Sequence, residues 1–249
     1  QADLTNPEVV TTQATNTLDH TLLHFGQYYW QVMGTTATGT NYFSGVHSFT
    51  HFTPSLLPGL SLWLDAADAV TDGAQRVSVW TDKSGQGNHV SQATLSDMPV
   101  RQLNTLNGNP AITFNGTTQF LDGGNILNFG TSSQAIFVVA RALKNNSTLF
   151  SKSLWGSAPS RYALIWEGPN LLYLYHDNGL RNISTPHAMG NFGVITLATS
   201  RPTALNRLFA NGLQIGQSTI SPTHNFISNF NFLIGAYNSS AGGLPPIAS

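Results

Sequence analysis

Trp80-Thr81-Asp82-Lys83-Ser84-Gly85-Gln86-Gly87-Asn88-His89 holds the densest turn chemistry in the chain. Asp82 followed by Ser84-Gly85 has the pattern of an Asx-type turn, in which a short side-chain oxygen accepts from backbone N–H groups just ahead of it. Gly87-Asn88 supplies a second corner with positive φ. Trp80 belongs to the apolar strand entering this turn, and Trp63 to another, within Leu62-Trp63-Leu64-Asp65-Ala66-Ala67-Asp68. Both tryptophans are expected in a core. Downstream come Gly108-Asn109-Pro110-Ala111-Ile112-Thr113-Phe114-Asn115-Gly116, then Ala210-Asn211-Gly212, then Ile234-Gly235-Ala236.

Outside these blocks, helical periodicity is nearly absent. Short alternating or apolar runs, such as Ile136 to Ala140, Tyr162 to Trp166, Leu171 to Tyr175 and Val194 to Ala198, are separated by Gly, Asn, Pro and Ser clusters. That pattern reads as an all-β sandwich. Asn-Gly pairs at 107–108, 115–116, 178–179 and 211–212 supply the positive-φ positions of tight turns. A hairpin is expected around Gly168-Pro169-Asn170.

Charged residues make up 8% of the 249 residues and the formal net charge is −1, against ~25% charged in ordinary soluble domains. Solubility rests on Asn, Thr, Ser and Gln, which suits a surface that packs against neighbours. Nothing here recommends a nucleic-acid or anionic-membrane partner. Hydrophobic residues at 41% suffice for a core. Cysteine is absent, which removes disulfides, thiolate metal sites and cysteine nucleophiles together. No apolar run reaches the ~18 residues of a membrane-spanning helix. Gln1 opens directly into polar sequence, as a processed or trimmed end would.

Taken in order over roughly residues 60–236, the blocks resemble the laminin-G-like branch of the concanavalin A-like lectin/glucanase superfamily. The resemblance implies a jelly-roll β-sandwich over 60–249, with its closing strand missing. It also implies a home outside the cell, at a cell surface or on a virion. Residues ~12–52, with Leu22 to Val32, Gly39 and Val46-His47-Ser48-Phe49-Thr50, resemble the last three strands of a fibronectin type III domain. Residues 1–52 are therefore expected to be a partial domain, and 53–59, with Pro54 and Pro58, a stiff linker. Both ends read as cuts in a longer multidomain chain.

Relatives that cleave glucans carry closely spaced Glu and Asp side chains on one strand. This chain has only Glu8 and Glu167, and no Glu-x-Asp pattern. Glu167 precedes Gly168-Pro169 and reads as a turn-edge carboxylate. No Gly-x-Ser-x-Gly elbow is present. The expectation is a protein that is not an enzyme. His20/His24 and His47/His51 have helical zinc spacing, but on strands i and i+4 lie ~13 Å apart and cannot share a metal.

Calcium is the better metal candidate, because laminin-G-like and lectin relatives hold it with Asp and Asn at a sheet rim. Asp65, Asp68, Asp72, Asp82, Asn88 and Asp122 are the candidate ligands, while Asp82 and Asn88 read first as turn formers. Asn115 stands where the resembled family carries Asp in Phe-Asp-Gly, which removes one carboxylate. For a saccharide the best concentration of aromatic and hydrogen-bonding residues is Trp155, Tyr162, Trp166, Tyr173, Tyr175, Asp177 and Arg181. Alternation sets Tyr173, Tyr175 and Asp177 opposite Leu172 and Leu174, so the tyrosines are expected outward. The same surface equally suits contact with another domain or subunit. The functional expectation is a non-catalytic binding or adhesion module for a glycan or surface protein. The alternatives are a structural subunit of a self-assembling filament or phage tail, and an accessory module of a glycoside hydrolase.

Overall fold

A computed structural model describes residues 26–144, 146–152, 162–166, 171–176, 181–186, 190–221 and 223–238. The chain divides into two units, at Leu60 and Ser61.

The described part of the first unit is one long irregular hairpin. Gly26–Trp30 pairs antiparallel with His47–His51, and Met33–Thr35 with Asn41–Phe43. Between the two ladders, Ser44 N donates to Val32 O at 2.8 Å and Val32 N to Ser44 Oγ at 3.0 Å, which carries the pairing across the irregularity. Tyr28 stacks on Phe49 across the strands, and Trp30 on His47. Of the three strands expected by resemblance, the described residues contain this hairpin; Leu22 to Phe25, His20 and His24 lie outside them. Pro54–Leu56 forms a single 3-10 turn, closed by Leu57 N donating to Pro54 O.

The second unit is all-β: among the described residues Val100–Leu106 with Asn109–Thr113 makes a separate two-stranded sheet, and the two larger sheets form a sandwich. The larger has nine strands, in the spatial order Arg181–Pro186, Leu171–His176, Tyr162–Trp166, Ser147–Lys152, Leu233–Ile234, Leu121–Asp122, Val90–Ser91, Val77–Asp82 and Leu64–Thr71. The smaller runs Gln134–Ala140, Gly193–Ser200, Leu205–Ala210, Leu213–Thr219. Asn-Gly corners do what positive φ requires. Asn107-Gly108 (φ 50° and 80°) joins Val100–Leu106 to Asn109–Thr113, and Asn211-Gly212 (φ 50° and 81°) joins the last two strands of the smaller sheet. Tyr162–Trp166 pairs with Leu171–His176 as expected, while Gly168 to Asn170 lie outside the described residues.

Cross-strand register builds the core. Leu121 sits opposite Ile234, Ile234 opposite Phe150, and Phe150 opposite Leu164, one apolar row across the large sheet. Ile195, Leu197 and Leu208 meet it from the small sheet. Tyr162 lies among Phe129, Phe150 and Phe226, edge-on to Phe226 at 6.0 Å, and its hydroxyl donates to Leu127 O. Burial raises the pKa of that phenol. Gly235 has φ +83°, and a Cβ there would come within 2.6 Å of the Phe114 ring. Close packing thus demands glycine in the Ile234-Gly235-Ala236 block.

Leu62, Trp80 and Phe114 pack partly buried against this core, and Ile195 is fully buried. Phe137, expected inside because it lies in an apolar run, is instead 66% exposed. The strand alternates, and Ile136 and Val138 pack toward the core while Phe137 and Val139 stand outward.

Lys152 is the unusual core residue, with 0% of its surface exposed. Its Nζ donates to Asn125 Oδ1 at 2.7 Å and to Phe230 O at 2.6 Å, tying two end loops to the strand. Burial pulls its pKa from 10.5 down to about 8.

Ile195→Ala is expected to cost about 2–5 kcal/mol through the cavity it leaves, and Phe137→Ala to stay within ~0.5 kcal/mol; urea melts of both variants check this. A second expectation concerns pH. Below about pH 8 both folded and unfolded chains hold the Lys152 proton; between there and 10.5 the unfolded chain binds more. Stability of the parent relative to Lys152→Met should therefore rise with pH across that window, by on the order of 1–3 kcal/mol. A difference that stays flat from pH 7 to 10 would contradict it.

Candidate functional site

Asp82 organises the corner that the opening stretch encodes. Its Oδ1 accepts from the backbone N–H of Trp63 and of Ser84, both at 2.9 Å. Its Oδ2 accepts from Ser84 Oγ at 2.7 Å and from the N–H of Asn88 at 2.9 Å. Asn88 Nδ2 donates to Ser61 O, and Asp82 N to His89 Nδ1. Burial pushes the Asp82 pKa up, but the hydrogen bonds from Trp63, Ser84 and Asn88 outweigh it and hold the carboxyl below the usual carboxylate value.

Beside this corner, Lys83 Nζ lies 2.7 Å from Asp68 Oδ2, 3.7 Å from Asp65 Oδ2 and 4.4 Å from the centre of the Trp63 ring. The pairing with Asp68 raises the lysine pKa. Asp65 Oδ1 accepts from Ala67 N, and its carbonyl from Trp80 Nε1. Asp72 closes its own turn through Ala74 N and Arg76. Asp122 accepts from Gly124 N at 2.7 Å and Asn231 Nδ2 at 2.9 Å.

These arrangements bear on the calcium candidates. Among the described residues, no three His, Asp or Glu side chains gather as a metal-holding group. The Lys83 ammonium pairs with Asp68 and lies within 3.7 Å of Asp65, and protein donors engage both oxygens of Asp82 and of Asp122. Asn88 is oriented by its Nδ2, which donates to Ser61 O. Asp65, Asp68, Asp72, Asp82, Asn88 and Asp122 thus each have a protein partner, and among the described residues no three acidic side chains are gathered at one point.

The aromatic candidates separate. Tyr162 and Trp166 are core residues, 2% and 1% exposed, and offer no face to a sugar; all five residues of Tyr162–Trp166 are buried, so both faces of this strand are covered. Tyr173 lies opposite Ile165 and Tyr175 opposite Ala163, while Leu172 and Leu174 lie opposite Trp166 and Leu164. Positions 173 and 175 thus share the sheet face of Ala163 and Ile165. Arg181 lies opposite His176 on the neighbouring strand. Trp155 and Asp177 lie outside the described residues.

Pairing across the same large sheet sets Asp122 opposite Ser91. The two line an open cleft of about 480 Å³ with His89, Gln92, Phe120 and Gly124. Sequence reasoning missed this grouping, because two-residue strands thirty positions apart give no periodic signal. The one available hint was alternation, which turns His89 and Ser91 outward when Val90 is buried.

No family model matches the chain, and no curated protein does. Among solved structures, the chain is similar to the CBM40 of a Ruminococcus gnavus IT-sialidase bound to α2,3-sialyllactose. The identity is 17% and the TM-score 0.38, over 50% of this chain and 72% of that one. It is also similar to the binding domain of Paraclostridial Mosquitocidal Protein 1, at 13% identity and TM-score 0.49, over 72% of this chain and 45% of that one. Domains LG4-5 of the mouse laminin α1 chain match at 13% identity and TM-score 0.36, over 90% and 76%.

Asp82→Asn keeps the size of the side chain but turns one acceptor into a donor facing backbone N–H groups. The expected cost is about 1–3 kcal/mol at pH 7. The parent's advantage is present above the ordinary value of 3.8 and fades as pH falls through the lower folded value. Thermal melts of both proteins from pH 7 to 2.5 should therefore converge at the acid end.

Proposed function

We propose that this chain is a non-catalytic binding module that recognises a glycan outside the cell or at its surface. The observation carrying this reading is how the acidic side chains are used. Asp65, Asp68, Asp72, Asp82, Asp97 and Asp122, all the aspartates among the described residues, accept hydrogen bonds or ion pairs from the protein itself. General acid–base work needs a carboxyl group that reaches a substrate proton. Carboxylates committed to turns and ion pairs serve a rigid scaffold instead, and rigid scaffolds suit recognition. Among the described residues no helix is long and apolar enough to cross a membrane.

A second reading, self-assembly, has its own support. Phe137 and Val139 stand exposed on Gln134–Ala140, the edge strand of the small sheet, with Val194 opposite Val139. Trp30 and Phe49 of the first unit are exposed as well. An uncharged edge strand with apolar outward residues invites pairing with another chain.

Light scattering and a glycan array, both on the full chain, separate the two. A monodisperse monomer that retains specific glycans supports recognition. Ordered oligomers that dissociate in Phe137→Lys, with no glycan retained, would reject it in favour of assembly.

A further inference from the structure

The cleft beside the Asp82 corner has a composition that selects among ligands. His89 and Ser91 are exposed on one side, and Asp122 and Gly124 form the other. Phe120 is half-buried in the wall, leaving part of its ring to the opening. Gln92 is held by its own bonds, accepting from Thr94 N and donating to Phe120 O. His89 Nδ1 accepts from Asp82 N at 2.9 Å, which leaves the ring proton on Nε2 as a donor. Asp122 is fixed from two sides by Gly124 N and Asn231 Nδ2. Among the described residues no lysine or arginine lines the cleft.

We propose that this cleft is a saccharide-binding site specific for neutral sugars, resting on the glycan-recognition reading above. The geometry supplies what a pyranose ring needs. Phe120 offers an apolar surface for the sugar's C–H face. His89 Nε2–H, the Ser91 hydroxyl and the remaining lone pairs of Asp122 offer donors and acceptors to ring hydroxyls. Each of the three is carried on a strand or held by a framework bond, so little side-chain freedom is lost when a sugar binds. The carboxylate also sets the charge preference. With Asp122 in the wall and no cationic side chain to offset it, an acidic sugar meets like charge, whereas a neutral hexose does not.

The test uses the full chain on an array of immobilised neutral oligosaccharides, terminated in glucose, galactose, mannose or N-acetylhexosamine, with sialylated counterparts alongside. Titration calorimetry then measures the best neutral ligand. Ser91→Arg fills the cleft from an exposed position and deletes no framework bond, so the melting temperature should hold while affinity falls at least tenfold. Phe120→Leu should weaken binding by a similar factor through loss of the ring face. Sialylation of the terminal residue should weaken binding several-fold. If neutral glycans bind unchanged in Ser91→Arg but are lost in Tyr175→Ala, the cleft is overturned while glycan recognition stands. Preference for the sialylated forms would overturn the charge argument. If the parent chain retains no glycan at all, both the cleft and the wider reading fall together.

Discussion

One carboxylate holds the corner on which the large sheet depends. Asp82 gathers Trp63 N, Ser84 N, Ser84 Oγ and Asn88 N, donors from the strand before it and the turn after it. Buried backbone N–H groups need acceptors, and a carboxylate offers more acceptor capacity than any neutral side chain of its size. Because that capacity is fully used, the turn is rigid without any ion. Asn88 then ties Ser61 into the corner, and His89 is oriented through Asp82 N. The ring that faces the cleft is positioned by the same residue that closes the turn.

Scarcity of charge gives the fold its other constraint. With 8% charged residues, ionic groups are scarce, and several of those described are committed to particular joints. Arg101 staples the Val100–Leu106 hairpin to the neighbouring strand through Ala67 O, Ala69 O and Thr71 Oγ1. Arg201 binds the carbonyls of Ser132, Ser221 and Gly130 and lies over the Phe226 ring. Lys152 joins two end loops from inside the core. Removing a charge here loses a structural bond before it changes the surface field.

The exposed apolar edge and the polar cleft lie on different sheets, Gln134–Ala140 in the small one and Val90–Ser91 with Leu121–Asp122 in the large one. The proposed pairing through the first and the proposed ligand site in the second would therefore use separate residues.

How much of this was legible follows from the range of the forces involved. Local chemistry determined the all-β class, the Asn-Gly corners at 107–108 and 211–212, and the turn at Asp82, because each depends on φ preferences and hydrogen bonds within a few residues. Which residue of an apolar run faces inward was not local. Phe137 stands outside because parity on an alternating strand turns Ile136 and Val138 inward, whereas Tyr162 and Trp166 are buried with every other residue of their strand. The partner of the carboxylates near Trp63 was not local either: folding brings Lys83 to Asp65 and Asp68 from the neighbouring strand's end. The cleft required still longer range. Ser91 and Asp122 are neighbours only because the pairing of two short strands sets them side by side, and no pattern along the chain encodes that pairing.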